Sequence, residues 1–309
     1  MTKVSEFYNK VRRRKKGEGA FLARRSGGER VVFIVAFIIL AVYSVSLLLP
    51  LLWMLMNSFK DGTEYAMDVV AATTLRFPEA WKFSNYANVF AEITYNNVNF
   101  FGMLGDSIYF IVVGSGLELF FTTAVSYVIS KYKFKGRNFI YSVAIFAMTM
   151  PIIGNMASGI KLRAAFGIYD NLLAVFFTAG AGAFGFNFLM LYAFFKSVPW
   201  SYAEAVFIDG GNHFTVFFRI MLPLAMPMVT TLFILSAIAG WNDYTTPMLY
   251  FPSFPNVAMG LYMVSQTLTR GDMSTYYAAL VITTVPVVAL FAGFSDKIMK
   301  NYSIGGLKG

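Results

Sequence analysis

Six predominantly apolar stretches divide the chain, at residues 31–56, 107–130, 139–160, 172–195, 226–250 and 277–298. A helix rising about 1.5 Å per residue needs about 20 apolar residues to cross a hydrocarbon core, so each stretch predicts a transmembrane helix. Pro50 interrupts the first, which a membrane helix tolerates. Between the fourth and fifth stretches the pattern changes. Residues 199–223, PWSYAEAVFIDGGNHFTVFFRIMLP, are amphipathic and broken by a turn.

The polar positions of this segment predict an elbow of two short helices. Pro199 ends the preceding helix, and Ser201 followed by Glu204 fits a capping box, with Ser201 as N-cap and Glu204 reaching back to it. A helix then runs from Tyr202 to Asp209, and Gly210 and Gly211 supply the left-handed conformation that stops it. Asn212 caps a second helix through Arg219, ended by Leu222-Pro223. The longest segment between apolar stretches, 57–106, carries Pro78, Trp81 and Tyr86 and reads as an aromatic-rich interfacial segment rather than a folded domain.

Composition agrees with a membrane protein. Only 13% of the residues are charged, against about 25% in soluble domains. The net charge of +9 is unevenly placed: ten Lys and Arg residues precede the first apolar stretch, from Lys3 to Arg30. Residues 1–30 therefore read as a basic cytoplasmic tail facing anionic headgroups, not as a nucleic-acid-binding arm. Six spans place both termini on one side, and that side holds 19 of the 25 Lys and Arg residues. The expectation is an all-α polytopic membrane protein with six transmembrane helices, N-in and C-in. The first apolar stretch is too long for a signal-peptide core and reads as an uncleaved anchor. With no cysteine and the single histidine His213, thiolate chemistry, disulfides and paired-histidine metal sites are excluded.

Several polar residues inside the apolar stretches are candidates for a substrate pathway. Glu118 lies mid-stretch, where an ionisable group is costly; it reads equally as a cavity-facing residue or as a carboxyl packed against another helix. Trp241, Asn242, Asp243 and Tyr244 combine aromatic and polar groups, as small-molecule pockets do, or form an interfacial aromatic anchor. Gly180, Gly182 and Gly185 precede Asn187 and permit either close helix packing or a break lining a cavity. His213 reads as a surface residue of the elbow, and the ending SIGGLKG as an inside tail or a frayed terminus.

The elbow also carries a spaced motif. Glu204-Ala205-Val206, three residues, Gly210, nine residues, Ile220, one residue, Leu222-Pro223 resembles the EAA signature of ABC transporter permeases of the importer type. Val206 departs from the usual alanine. IDGGNHFTVFFRIMLPLAMP, GWNDYTTPML and the ending LKG look like the carbohydrate-uptake branch, with the second permease of maltose-type systems as the nearest likeness. The resemblance runs from Val31 to Gly309 and implies a transmembrane permease domain there, in a bacterial-type plasma membrane. It further implies that Glu204, Ala205, Val206, Asp209, Gly210, Ile220, Leu222 and Pro223 form a coupling loop docked on a cytoplasmic ATPase. The implied partners are a homologous second permease, two ATPase subunits, an extracytoplasmic sugar-binding protein and membrane lipid. No Gly-Lys dipeptide occurs, so the chain has no P-loop of the GxxxxGK[ST] form. It is then expected to bind no cofactor and perform no catalysis, with ATP and magnesium on the partner ATPases. The competing reading is a self-contained secondary transporter or channel, which needs paired intramembrane charges or an inverted repeat.

Overall fold

The computed structural model describes residues 27–149 and 155–305. Most of the basic tail, residues 1–26, and the last four residues lie outside the described residues. Helix α1 (Gly27–Asn57) belongs up to Leu55 to a unit of its own. Between Val31 and Leu52 every residue except Ala41 is exposed. A helix apolar on all sides and uncovered by protein is suited to a lipid surround.

The second unit begins at Met56. Its first part is more structured than an interfacial segment. Residues 57–106 form α2 (Gly62–Val70), α3 (Ser84–Glu92), the hairpin strands β1 (Thr94–Tyr95) and β2 (Val98–Asn99), and the start of the next helix. A buried polar knot holds them. Lys60 Nζ, fully buried, donates to Asp68 Oδ2 at 2.7 Å and to the Thr74 carbonyl at 3.2 Å. Asn85 Nδ2 donates to the Ser58 and Lys60 carbonyls, both at 2.8 Å. The Phe59 ring packs among Trp81, Phe83 and Tyr86. These partners show no periodicity, so the pattern of the segment does not reveal the knot.

Helix α4 (Phe100–Lys131) is a continuous run whose middle, Phe110–Ser115, widens into a π-turn. It packs on α8 (Phe186–Ser197) and on α10 (His213–Trp241), and α10 packs on α13 (Met273–Gly305). Near the start of α4, Phe100 and Met103 join Val89, Ile93, Val257, Leu261, Ala278 and Ala279 in a buried cluster. This cluster ties residues 57–106 to α12 (Val257–Ser265) and α13. The hydroxyls of Tyr65 and Tyr277 add a 2.8 Å hydrogen bond across the same junction.

Four described helices are long and apolar enough to cross a membrane: Val31–Asn57, Phe100–Lys131, His213–Trp241 and Met273–Ser295. The third and fourth predicted stretches are not single described helices of that length. The third contains α5 (Arg137–Thr149) and leads into α6 (Asn155–Ala165), with 150–154 outside the described residues. The fourth breaks into α7 (Ala174–Thr178), a 3₁₀ segment Ala179–Ala183, an extended Gly185 and α8. Each glycine costs a helix about 1 kcal/mol relative to alanine, and this segment has three. The fifth stretch is displaced. Its helix begins at His213, runs through Leu222-Pro223 and stops at Trp241, leaving α11 (Thr245–Tyr250) as a separate turn. Pro223 does not end the helix because a π-turn, Val216–Met221, precedes it. The widened turn relieves the carbonyl four residues back, with which a proline ring in a regular helix clashes.

Asp68 is held below the ordinary aspartate range, first by its hydrogen bond from Lys60. The pair therefore stabilises the fold above that ordinary range and loses its contribution as pH falls through the lowered folded value. Lys60→Met, which strands a buried carboxylate, is expected to cost about 3–5 kcal/mol, read as a lower thermal midpoint of the reconstituted protein at neutral pH.

Candidate functional site

The elbow is built on a buried inner face. In α9 (Ser201–Ile208) Ala203 is fully buried, and Val216, Phe217 and Met221 of α10 pack with it against Leu119 and Tyr127 of α4 and Leu191 and Phe195 of α8. The opposite face is open: Glu204, Ala205, Asp209 and Gly210 are exposed, Ile208 is 85% exposed and Phe214 74%. Val206, Ile220 and Leu222 are half-buried, and Pro223 is exposed.

The local geometry corrects the capping expected at the start. Trp200 occupies the N-cap position, and no side chain caps the helix there. The backbone N–H groups of Ala203 and Glu204 donate to the Trp200 carbonyl at 2.8 and 3.2 Å. Trp200 is fixed one position early because its ring packs edge-on against Tyr132 and leans on Phe207. Glu204 thus forms no capping box, and its carboxylate makes no hydrogen bond or ion pair among the described residues. At the other end only Gly210 adopts the left-handed conformation, with φ of 80°. The Gly210 N–H donates to the Phe207 carbonyl at 3.1 Å and the Gly211 N–H to the Val206 carbonyl at 2.8 Å, which closes a Schellman turn. Gly211 serves by being small: a Cβ there would lie 2.5 Å from Val206 Cγ1. Asn212 caps α10 as expected, accepting from the Thr215 N–H at 2.9 Å.

His213 does more than occupy the surface. Its Nδ1 is 3.0 Å from the Tyr132 hydroxyl, and its ring meets those of Tyr132 and Phe207. The Tyr132 hydroxyl also pairs with that of Tyr127 at 3.0 Å. Lys131 Nζ donates to the Val198 carbonyl. Together these contacts bolt both halves of the elbow to the end of α4.

A second polar feature lies deeper in the same unit. A cavity of about 230 Å³ is lined by Phe110, Ser115 and Glu118 of α4, Arg163 of α6, Thr178 of α7, and Asp243, Thr246, Phe251 and Asn256 beyond α10. Of the residues singled out in the sequence, Glu118 and Asp243 line it. Asp243 Oδ1 accepts from the Thr245 and Thr246 N–H groups, each at 3.0 Å, and so caps α11. The Asp243 carbonyl accepts from Asn256 Nδ2 at 2.8 Å. Asn187, Trp241 and Asn242 are placed elsewhere. Asn187 contacts Ser236, Trp241 Nε1 donates to the Thr283 carbonyl at 3.0 Å, and Asn242 donates to the Ile238 carbonyl one turn back.

Arg163 was not legible as part of a site. Its guanidinium stacks on the Tyr250 ring, 4.1 Å from the centroid, and lies 5.5 Å from that of Phe251. Its Nη1 is buried and has no hydrogen-bond acceptor among the described residues, an arrangement that costs about 1–3 kcal/mol or more for a charged group. Glu118 packs against the 3₁₀ segment, where a Cβ on Gly182 would lie 2.7 Å from its Cδ. The glycine-broken fourth stretch is therefore what makes room for the carboxyl.

A family model described as "Binding-protein-dependent transport system inner membrane component" matches residues 120–301, more than half of the chain. The chain belongs to this family. It is 28% identical over 279 residues to the diacetylchitobiose uptake system permease protein NgcG of Streptomyces coelicolor, covering 86% of each chain. It is 28% identical over 275 residues to the inner membrane ABC transporter permease protein YcjP of Escherichia coli, covering 87% of this chain and 94% of that one. The arabinooligosaccharides transport system permease protein AraQ of Halalkalibacterium halodurans is 26% identical over 261 residues, 84% of this chain and 91% of its own. The fold matches a solved chain of a bacterial ABC transporter involved in the import of the acidic polysaccharide alginate, with TM-score 0.72, 21% identity, and coverage of 88% and 98%. The protein is accordingly an ABC importer permease subunit, multi-pass in the inner membrane and not itself an enzyme. Membership sets aside the self-contained secondary transporter or channel.

Gly210→Val places a β-branched residue at positive φ, where even unbranched L-residues lose about 1–2 kcal/mol. Faster hydrogen exchange confined to residues 201–215, with the buried polar knot around Lys60 unchanged, is the expected outcome.

Proposed function

We propose that this subunit imports an oligosaccharide by alternating access, driven by a separate ATPase docked on the elbow. The carrying observation is the division of the elbow into two faces. The inner face is buried in the core shared by α4, α8 and α10, and the outer face presents the unpaired Glu204 beside Ala205, Ile208, Asp209 and Gly210. A rigid piece so attached passes a push at its outer face to whole helices, a rigid-body mode of switching. Glu204 then offers its carboxylate to a basic residue of the ATPase, Ala205 and Gly210 allow close approach, and Ile208 fills an apolar depression. Val206, Ile220, Leu222 and Pro223 anchor the elbow to the bundle.

The rest of the assembly follows from this reading. The bundle has six spans with both termini inside, the fourth crossing as a broken helix. A homologous second permease completes the pathway, two ATPase subunits hold ATP and magnesium, and an extracytoplasmic binding protein delivers the sugar. The carbohydrate class is supported by relatives named for diacetylchitobiose and arabinooligosaccharide transport. Identifying a soluble binding protein that stimulates ATP hydrolysis by the reconstituted complex tests this class. Stimulation only by a binding protein loaded with a non-carbohydrate would overturn it.

Glu204→Ala separates docking from folding. Because Glu204 caps nothing, its loss is expected to change stability by no more than about 0.5 kcal/mol. ATPase affinity is expected to fall at least about tenfold, or about 1.4 kcal/mol, measured by titrating the ATPase onto the reconstituted permease. Equal losses in stability and affinity would return Glu204 to a structural role.

A further inference from the structure

We propose that the cavity between α4, α6 and α11 is a sugar subsite within this subunit, taking one uncharged glycosyl ring, with Arg163 as its hydrogen-bond donor and Glu118 as the opposing carboxyl. The inference rests on the carbohydrate reading and goes beyond it by naming a place and a specificity.

Size comes first. At about 230 Å³ the space is below the roughly 300–1,000 Å³ of pockets for larger ligands, so it suits a single ring or the end of a chain. Phe110 and Phe251 supply apolar surface, while Thr178 and Thr246 add hydroxyl groups; the Asn256 amide is already engaged by the Asp243 carbonyl and the Met259 N–H. A flat apolar wall with a few convergent polar groups is the usual make-up of a small-molecule site.

Charge then selects the ligand. Arg163 is held from behind by the Tyr250 ring and lacks an acceptor for Nη1 among the described residues. Glu118 forms no ion pair there, and Gly182 leaves room for it at the cavity edge. Asp243 is already engaged by two backbone N–H groups. The unpaired groups are one cation and one carboxyl, which offset each other. An anionic ligand paired with Arg163 would leave Glu118 facing it in a poorly solvated space, a costly arrangement. Hydroxyl groups meet both requirements, accepting from the guanidinium and donating to the carboxyl. The uncharged ring is thus favoured over a uronate, the chemistry of the polysaccharide imported by the solved relative.

The test uses the assembled transporter in lipid nanodiscs and saturation-transfer NMR, with maltose, cellobiose, diacetylchitobiose and digalacturonate as probes. At least one uncharged disaccharide is expected to receive saturation on the protons of one ring. Arg163→Met, which keeps an apolar stem over Tyr250, should reduce that signal about tenfold. Gly182→Ala, which forces Glu118 to shift while leaving Arg163 intact, should reduce it as well and guards against misfolding of the first variant. Signals indifferent to both substitutions would overturn the subsite and leave carbohydrate import standing. A digalacturonate signal that exceeds the others and depends on Arg163 would overturn the uncharged specificity. Absence of signal from every probe would overturn the subsite, and together with ATP hydrolysis stimulated only by a non-carbohydrate binding protein it would remove both readings.

Discussion

The structure depends on the burial of Ala203, Val216, Phe217 and Met221 against α4 and α8. Without that contact the elbow is a surface loop, and surface loops move independently of the elements they connect. With it, α9 is fixed to the helical core through its inner face while Glu204, Ala205, Ile208 and Asp209 stay exposed. The aromatic group of Tyr127, Tyr132, Trp200, Phe207 and His213 reinforces the joint from the side. Close-packed interiors transmit displacement rather than absorb it, which suits the proposed passage of motion from an ATPase to the bundle.

Helix α4 links the regions that the proposed mechanism uses. One end holds the elbow through Tyr127 and Lys131. The other end joins residues 57–106 to α12 and α13 through Phe100 and Met103. Between them the π-turn at Phe110–Ser115 lies beside the polar cavity and packs on α10. A second π-turn in α10, just before Pro223, occurs where that helix leaves the elbow. Irregular turns of this kind occur often at functional sites; here the turn in α4 itself lines the cavity, and the turn in α10 lies between the elbow and the end of that helix, where Gly240 reaches the cavity.

Some of this was legible in the residues alone. The EAA-type spacing located the elbow, Gly210 its turn and Asn212 its second cap, because each of these depends on a few neighbouring positions. The capping box was not realised: Trp200 has a better use for its ring against Tyr132 than Ser201 has for its hydroxyl, and local capping rules do not see packing. Leu222-Pro223 misled for a related reason, since a π-turn one turn earlier removes the clash that makes proline a helix breaker. The site was only half visible. Glu118 and Asp243 were conspicuous as charges near apolar stretches, whereas Arg163 follows an apolar stretch as one ordinary basic residue and acquires meaning only beneath Tyr250.

By itself the sequence determined that the chain is a multi-pass helical membrane protein and that it holds no P-loop of the GxxxxGK[ST] form. These properties are sums over composition and local spacing: apolar length, charge distribution, an absent P-loop, a motif with fixed intervals. The tertiary structure decided which face of the elbow is free, which polar residues meet in one cavity, and that Lys60, Asp68 and Asn85 knot a segment that reads as a loop. Those are relations between residues distant along the chain. No periodicity encodes them, because they arise when close packing brings separate elements together and buried polar groups must find partners wherever the fold supplies them.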